Sequence, residues 1–399
     1  MAGGKGERLY PLTRDRTKPA VPFGGIYRII DFTLSNCINS GLRRIYLLTQ
    51  YKSESLQRHI RLGWNILPSE LGQFIELLPA QQRVSDTWYQ GTADAIYQNL
   101  YTLAMEDPAE ILVLAGDHVY KMNYYSMIDF HRDSAADLTV GVVEVEQDKS
   151  AHFGVVEVDS MGRVTGFAEK PEAPKAIPGQ PGKVYASMGI YVFNRAVLER
   201  QLQEDAKNPK SSHDFGKDII PRMVKEGAKI VAFNFIDENK HEAKYWRDIG
   251  TIDAYYEANM DLVQVDPVFN LYDRDWPIRT LQEQFPPVKT VFSGEEVAGR
   301  VGLILDSIVA HGCVVSGGRV QRSILSPNVR VNSYSQVYDS ILMEGVNVGR
   351  YAKIKRAIID KDVDIPQGMV IGYDTVEDRK RFYVAESGIV VVAKKTEIR

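Results

Sequence analysis

Short apolar triplets return at one fixed interval near the carboxyl end of this chain, and nothing else in it restricts the possible folds so tightly. Ser323-Ile-Leu, Ser340-Ile-Leu and Ala357-Ile-Ile follow one another every 17 residues, and Ser307-Ile-Val lies 16 residues before the first. A second series, Val329-Arg-Val, Val346-Asn-Val and Val363-Asp-Ile, keeps the same 17-residue spacing. Two registered sets of short strands with one period describe a solenoid whose coils bury their apolar residues against each other. Gly, Asn and Ser at the corners fit a parallel β-helix of about four coils. A β-sandwich also uses short strands, but gives them no reason to recur at a constant interval.

Upstream the pattern changes. Apolar, β-branched segments at 45–49, 111–115, 138–145, 155–158, 189–193 and 230–235 alternate with helical patterns at 53–64, 92–105, 124–136, 195–205 and 251–263. Several of these strands are apolar on both faces, as in a covered sheet. The alternation predicts an α/β layered domain with a largely parallel sheet. A length of 399 residues suits two domains. The expected division is a domain over 1–264, a connector over 265–300 and the β-helix over 301–399. Trp276 and Phe292 are placed to order the Pro-containing connector.

A net charge of −4 gives no electrostatic case for nucleic acid or an anionic membrane as partner. No apolar run approaches the ~20 residues of a membrane span, and no signal peptide is expected. Cys37 and Cys313 lie far apart without metal-ligand spacing, so a reduced, cytoplasmic setting is expected. The seven histidines show no zinc spacing, and no nucleophile elbow occurs.

Near the amino end, Gly3, Gly4 and Gly6 flank Lys5, with Arg8 following and Lys18 held between Thr17 and Pro19. Glycines let a backbone approach a polyphosphate and offer it N–H groups, and the three cations supply countercharge. The loop lacks a Walker ending and the third glycine of a dinucleotide fingerprint, so a purely structural turn is its competing reading. Asp117 follows the apolar segment 111–115, where α/β sheets bind ligands. It suits Mg²⁺, which takes oxygen ligands and bridges phosphates; capping the next turn is the alternative. Asp248 precedes the helical segment 251–263 and alone reads as part of a helix start. Paired with Asp117 it becomes a second metal ligand. Glu169 and Lys170 offer an acid and a base before Pro171, though a solvated surface pair explains them as well. The run from Trp88 to Asp94 brings aromatic surface and small residues to a helix start, suited to a sugar or base.

Taken in order, GGKGERL, TKPAVPFGG, RIIDFTLSNCINSG, LLTQY, WYQGTADA, LAGDHVYKM, FAEKP, ASMGIYVF, SSHDFGKDIIP, YWRDIGT, YDRDWPIRT and GMVIG resemble the glucose-1-phosphate adenylyltransferase family. The resemblance covers nearly the whole chain, and SSHDFGKDIIP with YWRDIGT separates it from relatives that use other nucleotides. It implies a nucleotidyltransferase domain followed by a left-handed β-helix, assembled as a homotetramer. The implied reaction joins ATP and glucose 1-phosphate to give ADP-glucose and pyrophosphate with Mg²⁺. By position, Gly3, Gly4, Lys5, Gly6, Arg8, Lys18, Gly91 and Asp117 would serve the nucleotide, and Asp117 with Asp248 the metal. Lys18, Asp117 and Arg8 would be catalytic. Tyr89, Gly154, Glu169, Lys170 and Ser187 would line the glucose 1-phosphate site, while Gln50 and Trp88 fall where the family relays regulatory signals.

The chain departs from that pattern in two places. Family members carry an apolar strand before the glycine loop, whereas here only Met1 and Ala2 stand near it. A start lying further upstream is expected, with unpaired strand edges and weak turnover for the chain as written. Relatives activated by fructose 1,6-bisphosphate and inhibited by AMP use a Lys and a His where Asp15 and Pro22 stand. Arg16, Arg28, Lys361, Lys394, Lys395 and Arg399 remain as candidate phosphate ligands for an altered effector, beside the reading of the last three as solvated surface. Competing functions are a catalytically silent subunit, a transferase for another nucleoside triphosphate, and an acyltransferase, for which only His311 is available in the repeat region.

Overall fold

The computed structural model describes residues 1–4, 6–81, 88–237, 242–291 and 300–398, so Lys5, Phe292 and Arg399 lie outside the described residues. Two short strands, β1 (Pro22–Phe23) and β2 (Tyr27–Arg28), lead into helix α1 (Ile29–Asn39). β3 (Arg44–Thr49), α2 (Glu54–Gly63) and β4 (Phe74–Pro79) follow, with β3 and β4 paired in parallel. Helices α3 (Thr92–Tyr97) and α4 (Leu100–Glu106) precede β5 (Glu110–Leu114), β6 (His118–Tyr120) and α5 (Tyr124–Asp133). Then come β7 (Leu138–Glu146), β8 (Gly154–Val158), β9 (Val164–Glu169), β10 (Lys183–Asn194), α6 (Arg195–Ala206), α7 (Ile220–Lys225) and β11 (Ile230–Asn234). A small hairpin of β12 (Ile236–Asp237) and β13 (Glu242–Ala243), then β14 (Trp246–Asp248) and α8 (Ile252–Asp261), complete this half.

The main sheet runs β11-β7-β10-β8-β9, with β5 also on β10. β7 is parallel to β11, and β10 is antiparallel to both β5 and β7. Strands β5, β7 and β11 therefore point one way with β10 threaded against them. Leu138, Val140 and Val142 of β7 enter one core beneath α6 and α7, while Val143 enters another against α5. Such two-sided burial accounts for the near-continuous apolar reading of that strand. The segment 92–105, periodic enough to read as one helix, is broken between α3 and α4. Asn99 supplies the cause: its Nδ2 donates to the Ala95 carbonyl and the Tyr89 hydroxyl, both at 2.8 Å. A short amide that bonds locally competes with the helix ladder.

Met1 and Ala2 lie between β3 and β5. The terminal amine donates to the Leu114 carbonyl at 2.7 Å, Gly116 N–H to the Met1 carbonyl at 3.0 Å, and Ala2 N–H to the Leu48 carbonyl at 2.9 Å. Continuing along that line is a cavity of about 540 Å³ lined by residues that include Cys37, Leu47, Leu112 and Val192.

The last hundred or so residues form a parallel β-helix of three ladders. In one, Ile324, Ile341 and Ile358 stack in register; in another, Val331, Val348 and Ile365 do. Those are the two 17-residue series of the sequence. The serine of each triplet has a structural use: Ser323 Oγ accepts from Ser340 N–H at 3.1 Å, and Ser340 Oγ from Ala357 N–H at 3.2 Å. Successive side chains in a strand face opposite ways. Accordingly Leu325, Leu342 and Ile359 fill the coil interior. Ile324, Ile341 and Ile358 turn outward and join Leu9, Leu12, Val21, Phe23, Ile252 and Tyr255 in one core between the halves. Each fully buried isoleucine contributes roughly 1.5–3 kcal/mol, so the repeat both builds the coil and docks it. Among the described residues no helix is long and apolar enough to cross a membrane.

Candidate active site

The glycine loop is tied down by its neighbours. A Cβ on Gly3 would sit 3.0 Å from the Gln50 amide nitrogen, and one on Gly6, at φ +63°, would sit 3.1 Å from both Lys18 Cβ and Thr13 Cγ2. Thr13 Oγ1 donates to the Gly6 carbonyl at 2.9 Å. At Gly4 a Cβ would meet nothing within 4 Å, so the backbone there borders open space a ligand can approach. Arg8 is exposed, and its Nη2 lies 3.0 Å from where a Gly250 Cβ would stand, beside both Asp248 oxygens. Gly250 thus leaves room for Arg8 and Asp248 together.

Lys18 sits in a single turn of 3-10 helix with Pro19 behind it. Its Nζ donates to Asp117 Oδ2 at 3.0 Å and Asp248 Oδ1 at 2.9 Å. The β6–β14 ladder explains the convergence, because Asp248 is registered opposite His118 and hence beside Asp117. Burial would raise the Asp117 pKa, but Lys18 and then His118 hold it well below the usual carboxylate range. Burial likewise opposes the charge of Lys18, yet the two carboxylates raise its pKa. One ammonium between two carboxylates leaves a net charge of about −1, and each carboxylate keeps an oxygen that Lys18 does not take. Among the described residues no cluster of three or more His, Cys, Asp or Glu can hold a metal. Two carboxylates without a cage suit Mg²⁺, which typically uses one or two carboxylates and fills its shell with water and substrate phosphate.

A chain of packed groups leads from this centre to the second candidate cluster. His118 stacks edge-on against Trp246 at 5.1 Å, Trp246 meets Phe153 at 5.3 Å, and the Phe153 carbonyl accepts from Lys170 N–H at 3.0 Å. Lys170 is half-exposed, at φ 51°, with Nζ 3.9 Å from Glu169 Oε1. The β8–β9 register sets Glu169 opposite Gly154. A Cβ on Gly154 would lie 2.8 Å from Phe167 Cζ and 3.0 Å from Glu169 Oε2, so glycine keeps that carboxylate in place. Ser187 stands at a β10 bulge, its Oγ 3.5 Å from the Tyr191 hydroxyl. Burial pushes the Tyr191 hydroxyl up to about 12, so it stays a neutral donor. Gly189, at φ +67°, lies in the same bulge, and a Cβ there would stand 3.4 Å from Ala115 Cβ and 3.8 Å from His118 Cε1.

Tyr89 is fixed from two sides. Its N–H donates to Gln50 Oε1 at 2.8 Å, and its hydroxyl takes the Asn99 amide. Gln50 therefore touches Tyr89 directly, while Trp88 is 59 % exposed. Gly91 lies where a Cβ would meet the His213 and Ser212 carbonyls at 2.2 and 2.4 Å. Sequence reasoning passed over Asp214, whose Oδ2 accepts from Thr92 Oγ1 at 3.0 Å, and also Asn99, His118 and Gly250. SSHDFGKDIIP and YWRDIGT contained two of them, but no spacing rule singles out Asp214 or Gly250 within those strings.

The candidate effector residues gather at the seam between the halves. Arg16 is buried against Asp360, both oxygens at 2.7 Å. Arg28 Nη1 donates to the Ser55 carbonyl and hydroxyl at 2.8 Å, and Lys361 pairs closely with Glu344. Lys394 offers its carbonyl to Arg14 at 2.6 Å, and Lys395 N–H donates to the Lys361 carbonyl at 3.0 Å. Arg28 and Lys361, with His59, His311 and Glu344, line a cavity of about 300 Å³. Burial lowers the pKa of both cations, an environment in which an added anion is welcome.

The nucleotidyl transferase family profile matches residues 1–265, and the GlmU-like C-terminal hexapeptide profile matches 286–392. The latter agrees with a left-handed β-helix. A glucose-1-phosphate adenylyltransferase from Koribacter versatilis is 60% identical over 396 residues, covering 99% of this chain and 94% of the relative. One from Rhodopirellula baltica is 56% identical over 396 residues, 99% of this chain and 89% of the relative. One from Anaeromyxobacter is 52% identical over 404 residues, 100% of this chain and 98% of the relative. With both profiles matched in the order of the two halves and relatives at 52–60% identity over nearly the whole chain, the chain belongs to the glucose-1-phosphate adenylyltransferase family of nucleotidyl transferases.

Proposed function

We propose that this protein transfers the adenylyl group of ATP to α-D-glucose 1-phosphate, releasing pyrophosphate and ADP-glucose for polysaccharide synthesis. The observation that carries the reading is the seating of one buried lysine between two carboxylates, in a chain 60% identical to a relative named for that reaction. A phosphate oxygen of glucose 1-phosphate attacks the α-phosphorus; that P–O bond forms as the bond to the β,γ-pyrophosphate breaks, and the electron pair leaves with pyrophosphate. The nucleophile is already largely dianionic near neutrality, since its second pKa is about 6. No proton needs to be abstracted.

The barrier is chiefly repulsion between anions, each close pair of unit charges costing ~4 kcal/mol at an effective dielectric of ~20. Lys18 and Arg8 offset that repulsion and stabilise charge on the departing pyrophosphate. Gly3, Gly4 and Gly6, with Lys5 between them, bring backbone N–H groups to the phosphates; Gly91 and Asp117 complete the nucleotide side. Asp117 and Asp248 would hold Mg²⁺, which when bound would supply countercharge to the phosphates. Glu169 binds sugar hydroxyls, Lys170 the sugar phosphate, and Tyr89, Gly154 and Ser187 shape the pocket.

Regulation fits the seam. Arg28 and Lys361, backed by Arg16, Lys394 and Lys395, form the seat of a phosphorylated effector, with Gln50 and Trp88 relaying its presence toward Tyr89. A homotetramer is the assembly in this reading. Pyrophosphate release with glucose 1-phosphate and each nucleoside triphosphate in turn tests the reaction: turnover with ATP at least tenfold above UTP and dTTP supports it, and preference for another nucleotide overturns it.

A further inference from the structure

Asp205 lies in the last turn of helix α6 and is 2 % exposed, yet takes no part in the groups assigned so far. Its Oδ2 accepts from His213 Nδ1 at 2.7 Å and its Oδ1 from Ser211 Oγ at 2.8 Å, with Arg222 Nη1 3.6 Å away. Ser211 Oγ in turn accepts from His213 N–H at 2.9 Å. A carboxylate so deeply buried is tolerated only with its donors in place, and it therefore fixes them. The consequence is a His213 backbone at φ 54°, the left-handed region that non-glycine residues seldom occupy, although His enters it more readily than most. Local strain of this kind persists where the surroundings over-determine it.

The neighbours show what that conformation achieves. The His213 carbonyl accepts from Ala93 N–H at 2.8 Å, in the first turn of α3. Gly91 passes the same oxygen so closely that only hydrogen fits. Asp214, the next residue, takes the Thr92 hydroxyl and caps a π-turn over Phe215–Ile219 through Gly216 N–H at 2.9 Å. Phe215 then lies against Tyr191 at 5.6 Å, and a Gly216 Cβ would be 3.0 Å from Phe167, the ring that also touches Gly154. The 211–214 loop thus abuts Gly91 and Thr92, and Phe215 and Gly216 directly after it pack on Tyr191 and Phe167, the rings next to Ser187 and Gly154.

We propose that Asp205 and His213 are positioning residues for the sugar-phosphate pocket, acting through the 211–214 loop on Gly91, Thr92 and the wall that carries Gly154 and Ser187. The inference rests on the substrate reading above. Neither side chain meets a reacting atom; their work is to hold one backbone conformation before substrate arrives.

Full-length Asp205→Ala and His213→Phe are compared with wild type for KM and kcat, and for amide exchange at Ala93. In both variants the KM for glucose 1-phosphate rises at least tenfold with kcat changed less than threefold, and Ala93 exchanges at least tenfold faster. Their double variant is no worse than either alone, since the pair acts as a unit. His213→Asn, which keeps a donor and tolerates positive φ, stays within threefold of wild type. A merely structural role would instead lower the active fraction and so the apparent kcat, leaving KM fixed; that result, or unchanged Ala93 exchange, overturns the proposal. Should Asp205→Ala fail to fold, Ser211→Ala, which removes the hydroxyl between Asp205 and His213 N–H, must raise KM at least threefold or the proposal falls. If wild type itself makes no ADP-glucose, the substrate reading is lost, while Ala93 exchange still decides the loop.

Discussion

Arg16 and Asp360 form a bidentate ion pair across the two halves of the molecule, with side chains only 5% and 1% exposed. Arg16 stands two residues before Lys18, so the segment that carries the active-site lysine is also the segment the β-helix grips. Lys394 adds a second hold through Arg14.

Breaking that pair from one side leaves an uncompensated buried charge, which costs about 3–5 kcal/mol. Asp360→Ala is expected to lower unfolding stability by about that amount. Arg16→Met combined with Asp360→Leu recovers most of the loss, because neither charge is then buried. Urea unfolding of the three proteins checks the ordering.

Asp117→Asn removes charge from the pair that faces Lys18. A fall in kcat of about a hundredfold or more is expected, the scale of losing one oriented charge-stabilising group. Circular dichroism establishes that the fold is retained, and pyrophosphate release measures the loss. Undiminished turnover would remove Asp117 from the mechanism.

The same residue gives a pH signature. Its folded pKa is depressed, so its contribution to stability is complete above the unfolded carboxylate value near 4 and is lost as pH falls toward the lower folded value. Wild type should therefore lose stability more steeply between about pH 4 and 2 than Asp117→Asn. Thermal midpoints of both proteins across that window provide the comparison, and parallel curves contradict the pairing.

Gly91→Ala is expected to be severe, because its Cβ would meet backbone oxygens rather than a side chain able to move. Overpacking of this kind costs roughly 1–3 kcal/mol or more. Gly162→Ala serves as the control, with nothing within 4 Å of its Cβ position although its φ of +77° carries its own strain. Denaturation midpoints should rank wild type, Gly162→Ala, Gly91→Ala in falling order.

At the seam, Asp15 pairs with Arg14 and Pro22 has no N–H to donate, so neither adds a cation or donor beside the cavity that Arg28 and Lys361 line. A weak response to fructose 1,6-bisphosphate is expected from a panel of phosphorylated sugars. Lys361→Gln should reduce the response to whichever anion activates by fivefold or more, while leaving the basal rate unchanged. Full activation by fructose 1,6-bisphosphate would contradict this.

Much of the architecture was readable before any coordinates. The 17-residue triplets became the stacked rungs of Ile324, Ile341 and Ile358, since a period tells both that coils stack and which residues meet. The direction of β10 was not readable, because periodicity identifies a strand without its partner's sense. The break at Asn99 was hidden too, as helical spacing continues through it on both sides. In the site, Asp117 stood out at the end of an apolar strand and Lys18 beside the glycine loop, whereas Asp248 read alone as part of a helix start and gained meaning only when paired with Asp117. Asp205 and His213 did not, for their value lies in a loop conformation that eight residues of separation do not disclose.

The alternation of Ile324 with Leu325, and of Ile341 with Leu342, imposes a quantum on how this protein can change length. Inserting one residue into such a strand would swap the faces of both side chains, starving the coil and stripping the docking surface at once. Whole coils, or corners, are the units that can be gained or lost, and each added coil would need a matching contour on the catalytic half.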